Sequence, residues 1–388
     1  MWHGWTGSDN TTAMNAVISL FNSSNKDGLK VNPTGLDWDT LFSKWVVSSA
    51  AGNAPDVVII HTSEVPEYSK RGILLPITDR IASTGIDLKG MPPAVVSACR
   101  YDGQMYAVPG DIHPLGMYFN VDMVQAAGLD PSKPPKTQAE FLTWAEKLTK
   151  GNVTAVDLPT SGAIPRWVWF SLLHQFGGTF LDDKGKAAVN SEAGMKALQF
   201  MVDLLQKNRF ASKGGSGLAG TANQFAAKQT AIRFIGPWEV NQYMAAKLNF
   251  MTAPLPIIGS KPAAWGNSHV LGLSKQRSDA KYDAGMKFIK WFSDNYQKPA
   301  VTVGIIPVNP KALKSPEWTG SKQYRYYKAF VDTLPNVVFE PSITQYTRIF
   351  SFAKPTALST NLEAALNGNK SVKQALDDMK KGIDEDLV

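Results

Sequence analysis

"GNAPDVVIIHTSEVPEYSKRGILLPITD", residues 52–79, encloses a short apolar run between turn residues. The run PDVVII (55–60) has the length of a strand and no alternation. That pattern predicts a strand buried on both faces, as in a parallel sheet. VPEYSK then reads as a helix stopped by Gly72, with a short extended piece after it. Strand followed by helix predicts an α/β layer.

Outward from this stretch the alternation continues. DNTTAMNAVISLFN (9–22) has Met14, Val17, Ile18 and Phe21 at helical spacing, and DTLFSKWVVSSAAG (39–52) reads as a helix ending at Gly52. YDGQMYAVP (101–109) predicts a hairpin turning at Asp102-Gly103. KTQAEFLTWAEKLTK, RWVWFSLLHQFGG, DAGMKFIKWFSDN and VKQALDDMKKGIDEDL all read as helices. In 177–205, Gly177-Gly178 ends a helix, Asp182–Gly185 turns, and Asn190 or Ser191 caps the next helix.

The length of 388 residues favours two domains. Apolar residues make up 44% and charged residues 19%, the balance of a soluble globular protein. The net charge of +7 comes without a clustered basic stripe, so nucleic acid is not expected as a partner. One cysteine, Cys99, excludes an internal disulfide and a thiolate metal site. No run of residues is long and apolar enough for a membrane span. The opening MWHGWTG reads as the end of a first strand, and an export segment is expected ahead of it. Eleven tryptophans are in excess and suggest a surface that grips flat or amphipathic ligands.

The ordered series GNAPDVVII, YSKRGILLPITD, YDGQMYAVP, GMYFNVDMVQAAGL, FGGTFLDDKGKAAVNSEAGMKALQFMVDLL, FAAKQTAIRFIGPWEV, TAPLPI, AGMKFIKWFSD and VGIIPV resembles the family 1 extracellular solute-binding proteins of ABC import systems. That group includes maltose-type sugar receptors. The resemblance implies a two-lobed periplasmic-binding-protein-like α/β fold, with a ligand cleft between lobes joined by crossing hinge segments. It places the crossings near 109–114, near 258–268 and past 313. The implied lobes are 1–110 with 268–315, and 111–267 with 316–388. It further implies capture of a mono- or oligosaccharide and delivery to membrane permease subunits by an extracytoplasmic, lipid-anchored or periplasmic monomer that uses no cofactor.

A sugar needs aromatic planes for its C–H faces and paired donors and acceptors for its hydroxyls. Residues at strand ends, turns and crossings are therefore the candidates. HGWTGSDN offers Trp5 and Asp9 beyond a first strand, with helix capping as the plainer role of Asp9. GLDWDTL offers Asp37, itself a candidate cap, and Trp38. His61 follows the apolar run directly, and Asp111 and His113 lie in the first crossing. Of Trp167 and Trp169, two apart on a helix, only one can face a ligand, and Trp167 is favoured. GPWEV holds Trp238 and Glu239 at a turn, where the resembled family commonly stacks an aromatic on sugar. The second crossing supplies Trp265 and His269. Trp45, Trp144 and Trp291 lie in amphipathic helices and are expected in the core.

Enzyme chemistry finds little support. The five histidines lack His-x₃-His spacing, so no metal site is expected. No G-x-S-x-G or Walker motif occurs, and Asp111 with Glu239 is not a local glycosidase motif. GSGLAG (215–220) matches a dinucleotide pattern, but is expected to follow a helix and a bend rather than a strand. Two other functions are weighed. A polyamine receptor of the same fold would favour acids over aromatics in the cleft. A glycan-active enzyme would turn its ligand over.

Overall fold

The computed structural model of the 388-residue chain describes residues 1–6, 8–212, 217–275, 278–351 and 354–388; of 8–10 and 217–221 it describes the backbone alone. The chain forms two compact units. Met1–His113, Asn267–Tyr324 and Ser342–Tyr346 make the first; Pro114–Gly266, Arg325–Pro341 and Thr347–Val388 make the second. Relative to the boundaries drawn from sequence, residues 111–113, 267 and 316–324 group with the first unit, and 342–346 return to it.

The strands of the two principal sheets are, in chain order, β1 (Trp2–His3), β2 (Thr34–Gly35), β3 (Val57–His61), β4 (Ala107–Pro109), β5 (Gly116–Asn120), β6 (Thr154–Asp157), β7 (Ala211–Ser212), β8 (Thr230–Ile235), β9 (Phe250–Ala253) and β10 (His269–Leu273). The first unit's sheet has the order β2-β1-β3-β10-β4. Every residue of β3 is buried, as its unbroken apolar run requires. The expected parallel sheet is corrected. β1 runs parallel to β3, but β10 is antiparallel to both β3 and β4. The register pairs His269 with His61, so β10 starts where β3 ends and must run the other way.

Local signals fix much of the rest. Asp102 and Gly103 both take positive φ, 47° and 74°, the type I′ geometry that suits a two-residue hairpin between Arg100–Tyr101 and Gln104–Met105. Asp37 caps the helix Trp38–Ala50 by accepting from the Thr40 N–H at 2.9 Å. Trp45 on that helix is fully buried and donates to Ser274 Oγ at 2.8 Å. Trp291 departs from expectation: it is half-buried, its ring edge-on to Phe21 at 5.3 Å.

The second unit's sheet has the order β7-β6-β8-β5-β9, with β5 antiparallel to both its neighbours, so that β7, β6, β8 and β9 run one way and β5 alone is reversed. Helix Ala163–Gln175 runs out at Gly177, whose φ is 85°. A turn closes between Asp182 and Lys186, and Ser191 caps helix Glu192–Val202 by accepting from Gly194 N–H. Helices Ala357–Leu366 and Val372–Asp386 pack on each other, and the latter buries Ala375, Leu376, Met379 and Ile383. Trp144 and Trp169 are buried here. Of GSGLAG, residues 215 and 216 lie outside the described residues and 217–220 open helix Gly217–Ala226; the strand β7 stands ahead of it, so the expectation that a helix and bend precede the motif is not met. Among the described residues, no helix is long and apolar enough to cross a membrane.

Candidate functional site

In the first unit three strands deliver one cluster. His61 ends β3 and His269 begins β10, directly opposite in an antiparallel register, so both side chains leave the same face. Strand Asp111–Pro114 adds Asp111 and His113, two apart and therefore also on one face. Asp111 is fully buried and accepts four hydrogen bonds. Donors are His113 Nδ1 (2.7 Å), His269 Nδ1 (2.8 Å), the His269 backbone N–H (3.1 Å) and the Tyr296 hydroxyl (2.7 Å). Burial alone would raise the Asp111 carboxyl, but the facing His269 and His113 donors hold it well below the usual carboxylate range.

An ionised carboxylate only accepts, so both Nδ1 atoms carry hydrogen. The Nε2 atoms are then the basic positions, and His269 Nε2 accepts from Trp5 Nε1–H at 3.3 Å. Burial drives His269 down to about 3 and lowers His113, so both rings are neutral at pH 7. His61 repeats the arrangement with Glu64, which accepts from the His61 backbone N–H (2.8 Å) and from Nδ1 (3.1 Å).

Trp38 lies over this cluster. Its ring is 4.3 Å from His61, stacks on His269 at 5.3 Å and 16°, and meets Phe42, one turn along its helix, at 6.0 Å. A Cβ on Gly4 would come within 2.1 Å of the indole, so a glycine there lets the ring settle onto the backbone. Trp38 and Phe42 remain half-buried, whereas Trp5 is buried at 4% exposure.

The second unit assembles three indoles. Trp167 stacks on Trp265 at 4.3 Å and 22°, and meets Trp238 edge-on at 5.8 Å. Ser171, one turn beyond Trp167, accepts from the Trp265 backbone N–H at 2.8 Å and fixes strand Ala264–Asn267 against the helix. Trp167 and Trp265 are buried at 4% and 2% exposure, so much of their faces is already covered; Trp238 is half-buried. Gly236 underlies it, since a Cβ there would lie 1.8 Å from the ring.

Beside Trp238, Glu239 is buried. Arg233, in the middle of β8, donates to it through Nε (2.8 Å) and Nη2 (2.7 Å), Tyr243 donates to it as well, and Arg233 Nη1 pairs with Asp157 at the end of β6. Burial, with Arg233 opposing it, lifts Asp157 to about 6.

The structure thus brings together His61, Asp111, His113, His269, Trp5 and Trp38 in the first unit, and Trp167, Trp238, Trp265 and Glu239 in the second. Asp37 stands apart as an exposed helix cap, and the side chain of Asp9 falls outside the described residues. Sequence reasoning did not single out Glu64, Tyr296, Asp157 or Arg233. The available signals were an acid three residues after a strand-end histidine and a charge inside the apolar strand TAIRFI.

A profile of the bacterial extracellular solute-binding proteins matches residues 16–325. The chain is 26% identical to a maltotriose-binding protein of Pyrococcus abyssi over 70% of its own length, and spans 58% of that relative. It is 25% identical to a maltooligosaccharide ABC transporter solute-binding lipoprotein of Streptococcus pneumoniae, over 89% of this chain and 79% of that protein. The cyclic alpha-maltosyl-1,6-maltose binding protein of Arthrobacter globiformis superposes with a TM-score of 0.83 at 26% identity, covering 100% of this chain and 97% of that one. The protein belongs to the bacterial extracellular solute-binding family, which places it outside the cytoplasm.

Proposed function

We propose that this protein is the substrate-binding component of an ABC importer that captures a sugar or oligosaccharide, leaves it chemically intact and delivers it to a membrane permease. The observation that carries the reading is the family match together with relatives named for binding maltooligosaccharides. The local chemistry supports it. Each unit presents one half-buried indole, Trp38 or Trp238, settled on a glycine next to hydrogen-bonding side chains. In this proposal those indoles cover sugar C–H faces, while imidazoles of His61, His113 and His269 bind hydroxyls. Asp111 and Glu239 act as positioning groups behind their partners. Trp5, Trp167 and Trp265 complete the aromatic walls.

Titration of intrinsic fluorescence with maltose, longer linear maltooligosaccharides, cyclic glucans and polyamines tests this, with chromatography of the recovered glycan. Saturable quenching by a glycan recovered unchanged is the expected result. Polyamine-only quenching or glycan turnover would overturn it. We further propose that binding shifts the population of arrangements of the two units, read as a change in radius of gyration by small-angle scattering.

Trp238→Ala should weaken the best glycan about tenfold or more, since a stacked aromatic contributes on the order of 1 kcal/mol beyond its buried area. Gly236→Ala should weaken it as well, because the new methyl displaces the indole it underlies. Isothermal calorimetry checks both. Unchanged affinity in both variants would remove Trp238 from the site.

A further inference from the structure

We infer that His61, His113 and His269 form a binding site for a divalent first-row transition ion, with Zn²⁺ the natural fit. The inference does not rest on the sugar reading, and it changes one detail of it: ring nitrogens that hold an ion no longer bind hydroxyls directly, and a hydroxyl is then taken at the ion's fourth position. One ring nitrogen from each histidine lies within 4.8 Å of the others, and among the described residues this is the grouping of potential ligands close enough to share an ion.

Three features favour a metal over a chance meeting of imidazoles. First, each Nδ1 faces a carboxylate, His61 on Glu64 and His113 and His269 on Asp111. This is the outer-shell arrangement that orients ligating histidines and makes their other nitrogen more basic. Second, the histidines contribute no charge when neutral, while the two carboxylates behind them supply two negative charges to balance a dication. Third, the three come from separate segments of one unit, β3, β10 and strand Asp111–Pro114, and so sit on rigid backbone.

Zn²⁺ bound by three imidazoles at about 2.0–2.1 Å would hold their nitrogens roughly 3.4 Å apart. Nitrogens that lie within 4.8 Å of one another draw together on loading, and with Nε2 as the ligating atom of His269, Trp5 gives up its hydrogen bond there, which is already long at 3.3 Å. Three protein ligands leave the fourth coordination position to water or a ligand oxygen. His61 and His269 keep exposed edges of 8% and 6%, a path for the ion.

The test uses the untagged full-length chain stripped with EDTA. Co²⁺ is added while visible absorption is followed, and Zn²⁺ is titrated by calorimetry. One equivalent of each should bind, with the intense visible bands of four-coordinate cobalt. His61→Ala should abolish the bands. Glu64→Gln should weaken Zn²⁺ about 10–100-fold. Trp5→Phe, which frees His269 Nε2, should strengthen it. His174→Ala, in the other unit with its ring on the Phe170 carbonyl, should change nothing. Circular dichroism confirms folding, and Glu64→Gln stands in where His61→Ala does not fold. No cobalt bands with no zinc heat overturns the inference, as does binding that survives both His61→Ala and Glu64→Gln. Glycan titrations do not enter the readout, so either proposal can fail alone.

Discussion

Arg233→Met will destabilise the second unit by about 3–5 kcal/mol, the usual cost of removing one partner from a buried ion pair. Arg233 is fully buried on a central strand. Its guanidinium grips Glu239 through two nitrogens and Asp157 through the third. Methionine fills a similar volume but donates nothing, which leaves two buried acids facing each other. Desolvation then has no compensation, and both carboxyls must take up protons or draw in water. Urea unfolding should show a lower midpoint with an unchanged slope for the transition that includes β8.

The variant also separates charge from packing. Adding Glu239→Gln to Arg233→Met removes one stranded charge and should recover part of the loss, a coupling visible in the double-mutant cycle. A single-variant loss below about 1 kcal/mol would mean that the network is peripheral to stability. Because Glu239 sits beside Trp238 in the turn after β8, glycan affinity should fall in Arg233→Met as well.

What the sequence discloses and what it hides follow from the range of the interactions. The strand at PDVVII, the hairpin at Asp102-Gly103 and the Ser191 cap depend on neighbours a few positions away, and all three are found. The direction of β10 depends on where the chain returns, which no local pattern encodes. The tryptophan excess divides between cores and the two aromatic clusters. Trp45, Trp144, Trp169 and Trp318 are buried away from both clusters, so the count alone says little about a ligand. The histidine cluster was invisible to spacing rules because its members come from three strands distant in sequence. His-x₃-His spacing finds pairs on one helix and is blind to sites built across a sheet. Arg233 was legible in principle: a lone charge in TAIRFI must be satisfied somewhere inside.

Acidification from pH 7.5 to 4.5, with EDTA present, should melt the first unit ahead of the second. Burial lowers His269 to about 3 and His3 to about 4, from an ordinary value of 6.5. Below 6.5 the unfolded chain takes up protons that these rings refuse while folded. Their contribution is complete above 6.5 and drains as pH falls, until the folded values are reached. Each costs about 1.4 kcal/mol per pH unit, so the pair costs on the order of 5 kcal/mol by pH 4.5. His113 is shifted the same way and adds to the loss. Asp111, held below the ordinary carboxylate value, keeps its contribution through this window and loses it only in stronger acid. In the second unit His174 is also lowered by burial, but Asp157 acts against it. With a folded value near 6, Asp157 takes its proton before the unfolded chain does, which favours the folded state as pH drops. Scanning calorimetry at pH 7.5, 6 and 4.5, with proteolysis to identify the segment that opens, checks the order. The decisive result is cleavage within 1–113 at pH 4.5 while 114–266 stays protected. Equal loss in both units, or first cleavage in the second, would mean that His3 and His269 accept protons in place and are not held neutral by burial.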